Sequence, residues 1–529
     1  MHVAFILHAH LPYVRHPEHA RSIEERWLFE ATWECYLRLV DTLERATTSG
    51  EPLLTISVSP TLLEMFADRE LRRRFADHIE RITALAGRVH ASRRFSEHAA
   101  AIEHYRKSLR AMREVYLRHG GDITRAFVSL AESGRIELAT TTATHAYLPG
   151  LKTGASVRAQ LRLGRRVFEH HTRRTPSGLW LPECAYEPRL GVDVALSGAK
   201  YTVLDTHGLD LARPRPPFDV YAPILASSGV AFFGREPSAT RAIWSREEGY
   251  PGHPLYREFY RDVGFDADDE TLGDEGGPGG TRVMTGLKLH AITGAEPKRS
   301  YDPALAVAQA KEHARDFVAS VSDRLGRAKA AGANEPIVVA PFDAELFGHW
   351  WYEGPVFLGE VLELLSSRDT SAKPVSLARY LERFPETAVA EPAASSWGEG
   401  GFGAVWTHPD TARLWRHVHH AEVRVLEVDA VVRDTLASEK RRRARIQAIR
   451  ELLLLESSDW AFMLRQGDMS EYANMRVRLH VSRIERLTRL ALTEVWAPDD
   501  LTWLTSVEAH TPLFASLDED TYAHVFDPW

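Results

Sequence analysis

The chain has 529 residues, of which 44% are hydrophobic and 26% charged, and its formal net charge is −8. This length predicts a large domain with attachments or two to three domains, and the composition is that of an ordinary soluble globular protein. The negative charge disfavours a general nucleic-acid binder, and the two cysteines, Cys35 and Cys184, cannot by themselves build a disulfide framework or a zinc cluster.

The N-terminal stretch MHVAFILHAHLP has a short apolar run and no basic leader, so we do not expect a signal peptide. No stretch reaches the roughly 18 apolar residues that a membrane-spanning helix needs. We therefore expect a cytoplasmic protein without nucleic-acid or membrane partners, either a monomer or a small homo-oligomer.

Short apolar runs rich in β-branched residues alternate with longer amphipathic stretches through most of the chain. This alternation predicts a parallel sheet that is buried on both faces, and the number of units favours a barrel over an open sheet. The predicted strands are 3–8, 53–59, 136–142, 178–183, 201–205, 229–234, 283–289 and 337–343. After residue 400 helical periodicity replaces the strand pattern, which predicts a separate helical domain. The acidic, glycine-rich stretch 264–280 predicts a surface loop.

Polar side chains follow several predicted strands at their carboxyl ends. His8 and His10 end the first run, His145 lies just past the third, Glu183 ends the fourth and Asp343 ends the last. In a barrel of parallel strands these ends meet at one rim, so we expect one site built from scattered residues.

Two of these residues are carboxylates in unusual surroundings. In GLWLPECAYEP (178–188), Pro182 disfavours helix, and Glu183 fits an exposed turn or a functional acid equally well. Asp343 opens DAELFGHWWY (343–352), where aromatic side chains suit sugar rings and a low dielectric raises a carboxyl pKa. Two carboxylates from different strand ends, facing one pocket, suit glycoside chemistry.

The histidines allow a different chemistry. His8 and His10 would point to the same side of a strand, and with His145, His290 and Asp343 they could form the zinc site of an amidohydrolase-like enzyme. Alternatively, they hydrogen-bond a polar substrate, or His8 is satisfied inside the barrel.

Tryptophans recur at a spacing of nine in 395–415. Trp397 stands between serine and glycine, which favours a loop and a binding platform, whereas Trp415 fits helix packing. Asp459 and His480 lie on apolar helix faces, where each needs a partner.

Five segments in chain order resemble the sequence regions of glycoside hydrolase family 57. They are HAHLP (8–12), GRIELATTTATHAYLP (134–149), GLWLPECAYEP (178–188), APFDAELFGHWWYEGP (340–355) and the pair SSDWAFM (457–463) and YANMRVRLH (472–480). The resemblance implies an α/β fold with an incomplete (β/α)7 barrel, a small inserted domain and a C-terminal all-helical domain. The implied boundaries are 1–188 and 236–400 for the barrel, 189–235 for the inserted domain and 401–529 for the helical domain.

The resemblance also implies retaining chemistry with no cofactor and no metal. Glu183 matches the nucleophile and Asp343 the acid/base, and Glu345 and His349 could orient Asp343. The positions that match substrate-binding residues are His10, His145, Trp244, Trp397, Trp406 and Asp459. Residues 235–252 match a mobile loop over the cleft, whose tip here reads Arg235-Glu236-Pro237 without an aromatic residue.

The stretch SSWGEGG (395–401) and the chain length resemble the branching subgroup of this family. The expected reaction cleaves an α-1,4-glucan and transfers the chain to a 6-hydroxyl, on a glycogen-like or modified polysaccharide. Alternatives within the family are 4-α-glucanotransferase and α-amylase, and alternatives from other classes are the metal-dependent hydrolase and a non-catalytic glucan-binding protein.

Overall fold

The computed structural model describes residues 1–48, 50–276, 280–294, 296–433 and 437–529. Among these residues, strands alternate with helices as far as Val389, and helices alone follow. The strands are β1 (His2–Ala9), β2 (Leu54–Val58), β3 (Ile136–Thr141), β4 (Leu179–Trp180), β5 (Tyr201–Leu204), β6 (Ile224–Leu225), β7 (Ala231–Gly234), β8 (Ile337–Asp343), β9 (Lys373–Pro374) and β10 (Ala388–Val389).

Helices surround the strands and form the C-terminal region. A π-helical segment, Thr32–Tyr36, joins the first two of them. The helices are α1 (Ile23–Ala31), α2 (Leu37–Arg45), α3 (Pro60–Ala67), α4 (Arg69–Ala91), α5 (Ala99–Arg118), α6 (Ile123–Glu132), α7 (Gly154–Thr172), α8 (Gly191–Leu196), α9 (Thr206–Asp210), α10 (Pro237–Trp244), α11 (Val263–Asp266), α12 (Asp269–Leu272), α13 (Pro303–Ala330), α14 (Gly354–Ser366), α15 (Leu377–Arg383), α16 (Ala412–Val432), α17 (Glu439–Leu455), α18 (Ser458–Gln466), α19 (Ser470–Leu492), α20 (Asp500–His510) and α21 (Glu519–Ala523). No helix among the described residues has the length and apolar character to cross a membrane.

The larger sheet has β1 near its middle. Its strands run in the order β4-β3-β2-β1-β8 with all neighbours parallel, and the short β9 also pairs with β1. The register sets Ser57 of β2 and Asp343 of β8 on either side of His8. These three residues therefore lie at one level, at the carboxyl ends of their strands.

A second sheet, β10-β6-β7-β5, completes the ring of strands. β5 adjoins β4 through a bridge between Gly178 and Tyr201. Just past β7, the N–H of Glu236 donates to the carbonyl of Val339 in β8 at 2.9 Å. The ring thus closes through sparse backbone contacts, which confirms the predicted incomplete (β/α)7 barrel.

An apolar cluster fills the barrel interior. Ala4 and Ile6 of β1 belong to this inner cluster, whereas Phe5 and Leu7 pack in the larger cluster beneath the helices. Because successive side chains of a strand face opposite sides, His8 continues the inward row. The core of the barrel therefore ends in a polar layer at its carboxyl rim.

Helices α16 to α21 form the predicted C-terminal helical domain. The start of α18 packs on the segment after β3, where the N–H of Ser458 donates to the carbonyl of His145 at 2.9 Å and Ser457 bridges Ala146. The hydroxyl of Thr144 also donates to the carbonyl of Leu453 in α17. The helical domain thus sits directly on the rim of the barrel.

The predicted strand at 283–289 is wrong. The segment is buried without strand pairing, and the N–H groups of Thr285 and Gly286 donate to the carboxylate of Asp262 at 2.8 and 2.9 Å. A side chain therefore satisfies backbone groups that a neighbouring strand would otherwise bond.

Residues 189–235, the predicted inserted domain, contribute β5 and β7, whose Val203 and Phe233 lie in the inner cluster. All of the predicted domain boundaries stay predictions. The expected loop 264–280 contains α12 and part of α11, and its residues 277–279 lie outside the described part of the chain.

Candidate active site

Polar side chains that are partly or fully buried converge at the carboxyl rim of the barrel. They come from β1, β8, the segments after β3 and β4, the loop after β10 and the start of α18. Six of the residues predicted from the sequence interact with one another there, through hydrogen bonds, ring contacts or electrostatic interactions. They are Glu183, Asp343, His10, His145, Trp397 and Asp459.

Glu183 lies in the 3₁₀ turn Pro182–Cys184 that follows β4. Nε1–H of Trp397 donates to Oε2 at 2.8 Å, and the hydroxyl of Ser458 donates to Oε1 at 2.7 Å. Burial raises the pKa of Glu183 to about 7, although these two donors favour the ionised form. Each carboxylate oxygen of Glu183 thus accepts one hydrogen bond, while burial disfavours the ionised form of the carboxyl.

Asp343 is the last residue of β8. Burial raises its pKa well above the usual aspartate value, and the negative charges of Glu345 and Glu183 raise it further. The charge of Glu183 therefore disfavours ionisation of Asp343, and the two carboxyls do not readily ionise together. One ionised and one protonated carboxyl is the arrangement that glycosidic cleavage requires.

His10, His145 and Asp459 form a layer beside this pair. Nε2 of His10 lies 3.2 Å from Oδ2 of Asp459, and the rings of His10 and His145 stack with 3.9 Å between centroids. Burial alone would raise the pKa of Asp459, but the nearby His10 and several further contacts outweigh burial, so that the pKa is lowered. Asp459 is thus set up as an ionised acceptor at the edge of the pocket.

The structure brings together only part of the proposed zinc site, which comprised His8, His10, His145, His290 and Asp343. The possible ligand atoms of His10, His145 and Asp459 lie within 4.8 Å of one another. Among the described residues, this is the one cluster of three or more histidine, cysteine or carboxylate side chains that could hold a metal ion. His290 instead packs against the ring of His98, 4.6 Å between centroids. Both nitrogens of His145 already have partners, so the geometry favours hydrogen bonding over metal ligation.

The predicted tryptophans lie in different surroundings. Trp397 reaches Glu183 and also contacts Trp180 edge-on, 5.1 Å between centroids. Trp406 is 2% exposed and stacks on Tyr147 at 5.4 Å, so its expected contact with a glucan stays a prediction. Trp415 packs on this pair, and its Nε1–H donates to the carbonyl of Trp406 at 2.7 Å.

The loop after β8 is anchored to the π-helical segment Thr32–Tyr36. The hydroxyl of Tyr36 donates to Glu345, and burial raises the pKa of Glu345 to about 7. Nδ1 of His349 lies 2.6 Å from Oε2 of Glu34. His349 thus fastens this loop to the segment Thr32–Tyr36, which positions the loop and not Asp343 directly.

The expected loop tip at 235–237 is wrong. Glu236 is buried and caps α10, accepting from the N–H of Ala239 at 2.6 Å. Arg235 donates to Asp205 at 3.1 Å, and its guanidinium lies 5.9 Å from the ring centre of Trp397. A helix start therefore replaces the expected mobile tip, and Arg235 faces the site.

A cleft of about 740 Å³ opens between α10 and the loop after β8. Three large aromatic side chains line it while remaining exposed: Trp244 by 47%, Trp350 by 42% and Tyr260 by 62%. Trp244 and Trp350 meet edge-on at 6.1 Å. The sequence singled out Trp244 and the HWWY run, but no pattern marked Tyr260, and Ser458 lay within the segment SSDWAFM without being singled out.

Comparison with known proteins gives consistent matches along the chain. Residues 4–391 match the family model of glycosyl hydrolase family 57, and residues 417–522 match that of the 1,4-α-glucan branching enzyme C-terminal region. The chain is 32% identical over 522 residues to a 1,4-α-glucan branching enzyme of Thermococcus kodakarensis, covering 92% of this chain and 73% of the relative. It is 29% identical over 515 residues to a probable 1,4-α-glucan branching enzyme of Mycobacterium tuberculosis, covering 90% and 89%.

Solved structures share the whole architecture. The α-amylase AmyC from Thermotoga maritima superposes with a TM-score of 0.90 at 34% identity, covering 100% of this chain and 99% of that one. A branching enzyme from Pyrococcus horikoshii gives a TM-score of 0.85 at 29% identity, covering 98% and 96%.

Proposed function

Because this chain belongs to glycosyl hydrolase family 57, we propose that it is a 1,4-α-glucan branching enzyme. It cleaves an α-1,4 bond, keeps the cleaved chain as a covalent glucosyl-enzyme, and transfers it to a 6-hydroxyl to form an α-1,6 branch. The observation that carries the proposal is the pair of largely buried carboxyls, Glu183 and Asp343, which follow strands at the same rim of the barrel and lie close enough for the charge of Glu183 to raise the pKa of Asp343. The branching-enzyme match at 417–522 supports a glucan hydroxyl as the acceptor.

Glu183 and Asp343 divide the chemistry between them. Glu183 attacks C1 of the glucose while Asp343 donates its proton to the departing glycosidic oxygen. Asp343 suits this role because burial and neighbouring negative charge favour its protonated form. In the second step Asp343 takes the proton of the 6-hydroxyl, whose oxygen attacks C1 as the bond to Glu183 breaks.

The remaining rim residues bind the sugar that reacts. We assign hydrogen bonds with glucose hydroxyls to His10 and Asp459, which lie beside Glu183, whereas His145, whose two ring nitrogens already have partners, supports His10 by stacking on it. Trp397 supplies an aromatic wall and holds the nucleophile through Nε1. His349 acts through the loop that carries it, whereas the charge of Glu345 acts on Asp343 itself by raising its pKa.

The aromatic cleft extends this site for a longer glucan. Trp244, Trp350 and Tyr260 offer exposed ring faces, which stack on the apolar faces of sugar rings. The cleft volume of about 740 Å³ suits several sugar units. We propose that one glucan chain lies here while it reacts at the rim.

Hydrolysis is the second candidate activity. It is favoured by the similarity to a protein described as an α-amylase and by the buried helix start at Glu236, which presents no aromatic tip over the pocket. The two activities share the glucosyl-enzyme and differ in whether water or a 6-hydroxyl receives the chain.

Proton NMR of amylose incubated with the protein tests the proposal. New α-1,6 signals are expected with the wild type and should disappear in Glu183→Gln. Glu187→Gln is the matched control, because Glu187 lies in the same segment but has a side chain that is 41% exposed and pairs with Arg189 at 2.8 Å. It should branch amylose as the wild type does.

Other outcomes separate the alternatives. Shortened α-1,4 chains without α-1,6 signals would favour hydrolysis or 4-α-glucanotransfer. Full activity in Glu183→Gln would refute the retaining mechanism. Loss of activity with a chelator, restored by zinc, would favour the metal hypothesis.

A further inference from the structure

A continuous row of hydrogen bonds runs through the barrel rim to Glu183. Oγ of Ser57 lies 3.2 Å from Nδ1 of His8, and Nε2 of His8 lies 2.9 Å from Nε2 of His145. Nδ1 of His145 lies 2.9 Å from Oγ of Ser458, which in turn lies 2.7 Å from Oε1 of Glu183. We call these five residues the histidine relay.

Ionised Glu183 fixes every hydrogen in the histidine relay. A carboxylate can only accept, so Ser458 donates to it, and the hydrogen between Ser458 and His145 must come from His145. Burial lowers the pKa of His8 and of His145 well below the usual histidine value, so each ring carries one N–H. It follows that His8 donates to His145 and that Ser57 donates to His8.

The relay has a second complete arrangement. When Glu183 is protonated, its hydroxyl can donate to Ser458, and each later pair exchanges donor and acceptor back to Ser57. Ser57 then donates to the carbonyl of Thr140, 3.4 Å away. Each member therefore keeps its hydrogen bonds in both protonation states of Glu183.

Ring packing keeps the two imidazoles in place. His8 stacks on Trp180 with 5.0 Å between centroids, and His145 stacks on His10. Outside the relay, the titratable groups that interact with Glu183 or His145 include His10, Asp343 and Asp459, and also Tyr147 and Cys184. Because stacking and hydrogen bonds fix the same rings, a break in the relay cannot be repaired by a simple ring rotation.

We propose that Ser458 and His8 are positioning residues for the nucleophile and that the histidine relay orients Oε1 of Glu183 as one cooperative unit. This inference rests on the proposed function, because that function makes Glu183 the nucleophile. Ser458 belongs to the helical domain, so the relay also links the seating of that domain to the alignment of Glu183.

Two variants of Ser458 test the hydroxyl itself. Ser458→Ala is expected to lower kcat on amylose by about 10- to 100-fold, the usual effect of losing a hydrogen bond to a charged group, with KM changed by less than about twofold. Ser458→Thr keeps the hydroxyl and should recover most of the lost kcat. Equal kcat in Ser458→Ala and the wild type, or no recovery in Ser458→Thr, would overturn the proposal.

A double variant tests cooperativity. His8→Phe keeps a flat ring against Trp180 but removes both ring nitrogens, so kcat should fall. Ser458→Ala with His8→Phe should be about as slow as Ser458→Ala alone, because the relay is already broken. Losses that multiply would overturn the relay as a unit.

Separate controls distinguish a variant that fails to fold from a failure of the proposed function. Melting temperatures identify a variant that fails to fold, and if His8→Phe does so, the two Ser458 variants decide alone. A wild type without glucan activity would overturn the proposed function and this inference together. An active wild type that depends on Glu183 but not on Ser458 would overturn this inference alone.

Discussion

At the scale of single residues, Glu183 adopts a backbone conformation that side chains rarely tolerate. Its φ is +65°, that of Cys184 is +50° and that of His145 is +57°. Left-handed backbone at a non-glycine residue costs about 1 kcal/mol or more and persists where the surroundings fix it. At Glu183 the fixing contacts include Trp397 and Ser458. The backbone therefore aims the carboxylate, and its two donors hold it.

Glu183→Gln should stabilise the fold most at neutral and alkaline pH. The folded pKa of about 7 lies above the ordinary value of 4.5, so the folded chain binds this proton more tightly, and wild-type stability is lost as pH rises through that window. Glutamine removes this loss. The melting-temperature difference should grow in favour of the variant from about pH 5 to pH 8, by the equivalent of up to about 3 kcal/mol. A constant difference would contradict the prediction.

Glu345→Gln should shift the pH profile of activity. After burial, the negative charge of Glu345 is the next cause that raises the pKa of Asp343. Without that charge Asp343 loses its proton at a lower pH. The basic limb of the kcat/KM profile should therefore move down by roughly one pH unit. An unmoved limb would show that Glu345 does not act on the proton donor.

At the scale of elements, the loop 344–353 joins the acid to the aromatic cleft. It starts next to Asp343 and carries Trp350 into the cleft. Two contacts hold the middle of the loop at His349. Its ring hydrogen-bonds Glu34, and its carbonyl accepts from Arg257 at 2.6 Å. Because one loop carries both functions, its anchoring sets the distance between the reacting bond and the bound chain.

Trp350→Ala should weaken the binding of long glucans more than short ones. Removing an exposed stacking face affects only substrates that reach the cleft. KM for amylose should rise by about 10-fold, equivalent to the loss of one aromatic contact, while kcat on short maltooligosaccharides stays within about twofold. Trp529→Ala, an exposed tryptophan that bonds Asp193, is the control. Equal effects on both substrates would refute a role in chain binding.

The same scale shows which elements a sequence reveals. Runs such as 3–8 and 337–343 were predictable because strands buried on both faces must be continuously apolar. The run 283–289 is equally apolar but is held by Asp262, and a side-chain substitute for strand pairing leaves no periodic signal. Hydrophobic patterning reports burial, and only secondarily the backbone geometry that achieves it.

At the scale of the whole molecule, the candidate site is completed by a domain that is distant in sequence. The position of Glu183 and Asp343 at the rim could be predicted because each ends an apolar run, whereas their catalytic roles were implied by the family resemblance and stay predictions. Ser458 could not be predicted, because its role depends on how α18 seats on the segment after β3. Trp350 was visible as part of an aromatic run, but its exposure depends on the fold of the loop around it.

The seam between the helical domain and the barrel is built on buried polar contacts. Glu422 of α16 accepts from the N–H of Lys152 at 3.1 Å, and from the N–H and hydroxyl of Thr153 at 2.8 and 2.9 Å. Thr153 caps α7 of the barrel. One buried carboxylate therefore fastens the two domains at the start of a barrel helix.

Glu422→Gln should loosen this seam and increase hydrolysis. The amide presents donors to groups that also donate, so we expect a loss of about 1.5–3 kcal/mol in stability, seen as a lower melting temperature. A less firmly seated helical domain admits water to the glucosyl-enzyme, so the ratio of new reducing ends to α-1,6 linkages should rise several-fold. Glu427→Gln is the control, since Glu427 lies on the same helix but is exposed and pairs with Arg424 at 3.7 Å. A lower melting temperature with an unchanged product ratio would show that the seam supports the fold without protecting the intermediate from water.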